Sequence, residues 1–144
     1  MKQLRVYAVS LFLIIASSSV LAQTKSYKVV VNPSNPLTSI SYENVSRIFL
    51  KKTTKFPNGL SASPVDLPGS SPIREHFSED VFGKSASAVN AYWQQLIFSG
   101  RDIPPPQKNE NGVLDFVRSN EDAIGYVSAT ANTSGLKVVL VTKF

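Results

Sequence analysis

The sequence predicts an α/β domain in which helices pack against a mixed sheet of about four strands. Runs rich in β-branched residues at 27–32, 123–128 and 136–143 are typical of strands. Segments with apolar residues three or four positions apart lie between the first run and the last two. The predicted order is β-α-β-α-α-α-β-β, and strands that alternate with helices favour helices packed on a sheet.

The first predicted strand, 27–32, ends at an Asn-Pro pair and leads into a polar loop. Ser41 is the predicted N-cap of a helix that runs to about Leu50, because a serine hydroxyl can accept a hydrogen bond from an amide of the first turn. A second, short strand is predicted at 63–67.

The stretch PGSSPIREHF, residues 68–77, predicts the start of the next helix. Ser71 is a good N-cap, and Pro72 falls at the first helical position, where its missing N–H costs nothing. Gly83 ends this helix. The apolar residues recur every four positions and are expected to face the core: Ile73, Phe77 and Val81.

Two more helices are predicted before the C-terminal strands. One begins at Ser85 or Ser87 and ends at Gly100. Three prolines within 101–108 predict an extended loop. A short helix follows within 111–120.

Residues 1–22 are predicted to be a secretory signal that is cleaved before Gln23. Positive residues precede an apolar stretch at 6–16, and small residues at the −3 and −1 positions fit a cleavage site. The apolar stretch is too short to span a bilayer, and a retained membrane anchor is the alternative. The mature chain, 23–144, is predicted to be one α/β domain in the periplasm. The sequence contains no cysteine, so neither a disulfide nor a lipid anchor on cysteine can form.

Charge and composition exclude several classes of function. Of the 15 Lys and Arg residues, Lys2 and Arg5 lie in the predicted signal, so the mature chain carries 13 positive and 10 negative residues, a net charge of +3. No basic stripe with interleaved aromatic residues predicts a nucleic-acid partner. His76 is the only histidine and has no second ligand at metal spacing, so neither a metal nor a cofactor is expected. No spacing of Ser, His and Asp predicts a nucleophile with its base, so we expect no enzyme.

The chain contains, in this order, the segments VVVNPSNPLTSISYENVSRIFLKK, PVDLPGSSPIREHF and AIGYVS. Together these segments resemble the phosphate-type periplasmic substrate-binding proteins of ABC importers. Lys51 stands in the place of a glycine that this family has after its first helix. The mature chain has the length of one of the family's two lobes and resembles the second, and WQQLIFSGRDIPPP is similar to a segment of short one-domain members. The resemblance implies a single periplasmic-binding-protein-like lobe.

The resemblance also implies an oxyanion site at the start of the helix after residue 71. The family's Ser-Gly-Thr-Arg helix start aligns with Ser71-Pro72-Ile73-Arg74, so Ser71 and Arg74 carry over. Pro72 removes a backbone donor and Ile73 removes a hydroxyl. The carboxylate that the family keeps near this serine has no match in register, although Asp66 is close.

Elementary electrostatics supports an anion at the same place. The first turn of a helix has unpaired amides and a partial positive charge. The candidate ligand-binding residues are Ser70 and Ser71 as hydroxyl donors, Arg74 as a forked charged donor, Asp66 as an acceptor for a phosphate proton, and Arg101 by similarity to the short members. The alternative is ordinary helix capping, with Arg74 on a solvated face.

The expected function is that of an exported solute-binding module, with phosphate or a similar oxyanion as a weakly bound ligand. A transporter in the membrane or a second protein is expected to complete the site. The alternative function is an exported protein-interaction module that keeps the lobe's fold without ligand binding and makes contacts through the loop at 101–108 or a sheet edge.

Overall fold

The computed structural model describes residues 25–144, so the predicted signal at 1–22 lies outside the described residues. The elements in chain order are β1 (Tyr27–Val31), β2 (Ser39–Ser41), α1 (Tyr42–Phe49), β3 (Ser63–Pro64), α2 (Pro72–Phe82), α3 (Ala86–Phe98), α4 (Glu110–Ser119), β4 (Ala123–Ser128) and β5 (Lys137–Thr142). The predicted fold, a single lobe with a mixed sheet flanked by helices, is confirmed, with five strands where about four were expected. Within the described part of the chain, no helix is both long and apolar enough to cross a bilayer.

The five strands form one sheet in the order β2-β5-β1-β4-β3. β1 is antiparallel to both β4 and β5, whereas β2 is parallel to β5 and β3 is parallel to β4. β2 is the strand that the sequence did not predict. Its three residues, Ser39-Ile40-Ser41, are too few to show an alternating pattern of apolar residues.

Each helix begins where a polar side chain accepts a hydrogen bond from an amide three residues on. The four caps are Ser41, Ser71, Ser85 and Asn109. Pro72 is the first residue of α2, and Gly83 ends it with φ 64°, in the left-handed region. Lys51 has φ 54° just after α1, at the position where the resembling family has glycine.

The core on the α2 side of the sheet is aromatic. Phe77 of α2 stacks on Tyr126 of β4 with the ring centroids 3.7 Å apart, and it contacts Phe49 of α1 edge-on. Val81 is buried as predicted, whereas Ile73 is half-buried. The stacking of Phe77 fixes α2 over the centre of the sheet, so the first turn of α2 lies close to the end of β3 and to β4.

Candidate functional site

The segment that connects β3 to α2 brings four of the five predicted site residues together. The Val65 amide donates to the Ile124 carbonyl at 2.9 Å, which continues the pairing with β4 for one residue beyond β3. The Asp66 amide then donates to the Pro106 carbonyl at 2.9 Å, and the Ser71 amide closes a turn onto the Pro68 carbonyl at 2.9 Å. The Asp66 side chain therefore lies beside the first turn of α2.

Arg74 is buried, with only 2 % of its surface exposed. Its Nη1 donates to the Leu67 carbonyl at 3.3 Å, and its Nη2 donates to Asn90 Oδ1 at 3.0 Å. Nη2 also lies 3.7 Å from Asp66 Oδ2, which makes a buried ion pair. These contacts exclude the solvated position for Arg74 that the sequence left open.

Asp66 is buried and is satisfied by neighbouring donors. Its Oδ1 accepts a hydrogen bond from the Tyr126 hydroxyl and another, at 2.8 Å, from the Leu67 amide. Burial raises the pKa of the Asp66 carboxyl, and the Arg74 charge offsets this only in part. Burial, followed by the Asp66 charge, also raises the pKa of Tyr126. We call Asp66, Arg74 and Tyr126, together with the exposed Asn90 that accepts a hydrogen bond from Arg74, the buried network.

Directly above the buried network lies a surface turn, residues 69–73. A side chain added at Gly69 would lie 3.4 Å from Asn90 Nδ2 and 3.6 Å from Arg74 Nη1, so the turn is in contact with both groups. Ser70 is exposed, and Ser71 Oγ accepts a hydrogen bond from the Arg74 amide at 3.4 Å. Within residues 25–144, the amides of Gly69, Ser70 and Ile73 donate to no protein acceptor. The turn therefore offers three amides and two hydroxyls to an anion from solvent.

Arg101 is separate from the other four predicted residues. It lies beyond the far end of α3, where its Nε donates to Ser99 Oγ at 2.9 Å. Asn90 is the α3 residue in the buried network. It lies eight residues before Phe98, the last residue of α3, which corresponds to about 12 Å along the helix axis. The structure thus brings Asp66, Ser70, Ser71 and Arg74 together and places Arg101 elsewhere.

Two members of the buried network, Asn90 and Tyr126, were not predicted from the sequence. Tyr126 lies within AIGYVS, where the strand pattern shows that the side chain is inside but not that its hydroxyl meets Asp66. Asn90 lies on a helix with no feature in the sequence that distinguishes it from the neighbouring polar residues. Both roles depend on contacts with residues more than fifteen positions away.

A groove of about 630 Å³ lies outside the predicted site. Its lining combines threonines and serines with charged residues that already have partners, since Lys51 Nζ lies 3.9 Å from Asp102 Oδ1 and Asp122 accepts a hydrogen bond from Ser63 at 2.8 Å. None of the predicted site residues lines this groove. Among residues 25–144, no cluster of His, Asp and Glu could hold a metal ion.

Several solved structures are similar in fold to this chain. An ABC-type phosphate transport receptor from Vibrio cholerae superposes with a TM-score of 0.63 and 20% identity, covering 83% of this chain and 47% of its own. A protein from Clostridium perfringens, described as a phosphate ABC transporter substrate-binding protein with bound phosphate, superposes with a TM-score of 0.62 and 18% identity. The match covers 82% of this chain and 45% of that protein. PstS from Borrelia burgdorferi gives 0.55 and 14%, covering 81% and 47%. The chain spans less than half the length of each of these proteins.

No protein-family model matches the sequence, and no curated protein matches it. The likeness to the solved structures at 14–20% identity therefore shows the fold, as the sequence resemblance predicted.

Proposed function

We propose that this chain is an exported solute-binding module that binds phosphate or a similar oxyanion weakly at the turn formed by residues 69–73. The observation that carries the proposal is the set of amides without protein acceptors at Gly69, Ser70 and Ile73, next to two serine hydroxyls and directly above the Arg74 guanidinium. The solved structures that share the fold include one with bound phosphate. Export depends on the predicted signal at 1–22.

The affinity of this site is expected to be low. Charge-assisted hydrogen bonds contribute about 1.5–3 kcal/mol each, so the five that three amides and two hydroxyls can donate give roughly 7.5–15 kcal/mol. Association costs about 4–15 kcal/mol before any affinity appears. Arg74 adds little, because its guanidinium is buried and paired with Asp66. A small net gain of about 4 kcal/mol, which corresponds to a dissociation constant around millimolar, is what we expect for the chain alone.

Tight capture of an oxyanion requires a second surface that excludes water from the turn. We therefore infer that a second protein or a membrane transporter supplies the opposing surface.

A thermal-shift titration with phosphate at constant ionic strength tests the proposal. At about ten times the dissociation constant, a bound ligand stabilises the fold by roughly 1.4 kcal/mol, which raises the melting temperature by about 5 °C for a domain of this size. Ser70→Asp places a carboxylate at the turn without disturbing a buried contact, since Ser70 is exposed. It is expected to abolish the phosphate-dependent rise.

Ser87→Asp is the matched control. Ser87 is exposed in the first turn of α3, so this variant adds the same charge at another helix start and should keep the full response to phosphate. Equal responses from Ser70→Asp and the wild type would place the anion elsewhere, and no response in the wild type would reject the proposal.

One observation favours the alternative function, an exported protein-interaction module without a ligand. Arg74, the strongest anion-binding group predicted from the sequence, already has an acidic partner in Asp66 and is not accessible to solvent. If the chain is such an interaction module, the melting temperature of the wild type does not change with phosphate. A partner captured by cross-linking in cells is then recovered equally with and without phosphate.

A further inference from the structure

Three large apolar side chains are exposed where α3 ends. Ile97 is 50% exposed, Phe98 is 89% exposed and Ile103 is 66% exposed. We call these three residues the apolar patch. Single exposed apolar residues are common on proteins, but adjacent ones of this size are typical of a contact surface.

The apolar patch is held in place by the end of the helix. The opposite face of α3 is anchored in the protein by Val89 and Trp93, which are both buried. The Gly100 amide donates to the Ile97 carbonyl at 3.0 Å, and Gly100 has φ 67°, which reverses the chain. The Arg101 amide donates to the Leu96 carbonyl at 3.0 Å. Phe98 is therefore exposed on a capped helix end.

The charges beside the apolar patch are mainly positive. Arg101 is exposed between Phe98 and Ile103 in the chain. Lys51 and Lys52 follow α1, whose end contacts α3 through a hydrogen bond from the Tyr92 hydroxyl to the Leu50 carbonyl at 3.2 Å.

Asp102, which lines the hollow with Ile97 and Ile103, is already engaged. It accepts a hydrogen bond from the Ile103 amide at 2.8 Å and lies 3.9 Å from Lys51 Nζ. With Asp102 paired to Lys51, the exposed Arg101 leaves the hollow with a net positive charge.

Phe98 projects from the surface at the end of α3, since 89% of this residue is exposed. Ile97 and Ile103 lie together beside it, where they line a shallow hollow of about 210 Å³. A flat protein partner would contact little besides the projecting ring. A bilayer can close around a projecting aromatic ring while its headgroups stay near adjacent cations.

We propose that the end of α3 binds an anionic lipid surface, with Phe98 and Ile103 entering the interface and Arg101 contacting the headgroups. Apolar insertion and cation attraction add in this arrangement, so binding is expected to need both. The assignment is independent of the oxyanion site, because it uses no residue of the turn formed by residues 69–73.

Vesicle flotation tests the proposal. Residues 25–144 contain all nine elements and the core, and they lack the apolar stretch 6–16, whose own lipid affinity would obscure the result. Vesicles of phosphatidylglycerol mixed with phosphatidylcholine are compared with vesicles of phosphatidylcholine alone. We expect binding to the anionic vesicles only, and Phe98→Ser is expected to weaken it roughly tenfold.

Leu140→Ser is the matched control, because Leu140 on β5 is 66% exposed, as is Ile103. It should leave vesicle binding unchanged, whereas Ile103→Ser and Arg101→Gln should each reduce it. Circular dichroism checks that each variant is folded.

Three results would overturn the proposal. They are no binding to either vesicle, equal binding to both vesicles, or equal losses from Leu140→Ser and Phe98→Ser. Concentration-dependent self-association that Phe98→Ser removes, without vesicle binding, would assign the apolar patch to a second copy of the chain instead.

Discussion

The two ends of α3 differ in what they leave exposed. Near its start, Asn90 belongs to the buried network, in which the charged groups Asp66 and Arg74 are almost inaccessible to solvent. At its end, Phe98 is 89% exposed. Buried charge is costly unless it is paired, and the buried network pairs its charges internally. The side chains of the apolar patch are left exposed by the described part of the chain, so contacts that cover them are expected from another molecule.

The largest effect is expected from breaking the ion pair in the buried network. Arg74→Met leaves the Asp66 carboxylate buried without its counter-charge, which should reduce the free energy of unfolding by about 3–5 kcal/mol. Urea denaturation measures this change.

Arg118→Met is the control for Arg74→Met. Arg118 pairs with Asp115 at 3.3 Å on the surface, where removal of one partner should cost less than about 1 kcal/mol. Similar losses from the two variants would show that the Asp66–Arg74 pair is not buried in solution. Because Arg74→Met is expected to destabilise the fold, loss of phosphate binding in an Arg74 variant would not by itself show that the ligand contacts Arg74.

A smaller effect is expected from removing one donor to Asp66. Tyr126→Phe keeps the ring that stacks on Phe77 and deletes the hydroxyl that donates to the carboxylate. A hydrogen bond to a charged group contributes about 1.5–3 kcal/mol, so thermal or urea unfolding should show a loss of that size.

Tyr92→Phe provides the comparison, because the Tyr92 hydroxyl donates to a neutral carbonyl, that of Leu50, at 3.2 Å. Its expected cost is about 0.5–1.5 kcal/mol. A larger loss from Tyr92→Phe than from Tyr126→Phe would contradict the assignment of the hydroxyl of Tyr126 to Asp66.

The pH dependence of stability should distinguish Asp66 from surface carboxylates. Burial raises its folded-state pKa above the ordinary value of 3.8. The stability gained from protonated Asp66 is therefore full below that ordinary value and is lost as the pH rises through the raised pKa. Asp66→Asn cannot titrate, so the stability of the wild type relative to this variant should decline as the pH rises. Urea unfolding across a pH series measures this, and a relative stability that increases with pH would show that the Arg74 charge dominates.

The smallest effect on stability is expected at the apolar patch. Phe98→Ser removes a ring that is 89% exposed, so the free energy of unfolding should change by less than about 0.5 kcal/mol. Urea denaturation measures this change. A loss above about 1 kcal/mol would show that Phe98 packs against the protein, and the contrast between the two ends of α3 would disappear.

The sequence was sufficient where structure depends on neighbours in the chain. Ser41 and Ser71 cap helices as predicted, and Gly83 ends α2 in the left-handed region. The resemblance also predicted the single lobe, which the structural likeness confirms.

The sequence was not sufficient where a role depends on distant residues. Arg74 immediately precedes Glu75 and His76 in the chain, a polar run that favours a solvated face, yet it is buried against Asp66 and Asn90. These partners come from the end of β3 and from another helix, so helical periodicity contains no information about them. The ligand-binding roles proposed for Ser70, Ser71, Arg74, Asp66 and Arg101 remain predictions.

A proton–nitrogen correlation NMR titration of residues 25–144 with phosphate tests the oxyanion site most directly. We expect saturable shifts around millimolar phosphate that are largest for the amides of Gly69, Ser70 and Ile73 and are absent in Ser70→Asp. Largest shifts at residues lining the 630 Å³ groove, or no saturable shift anywhere in the turn formed by residues 69–73, would contradict it.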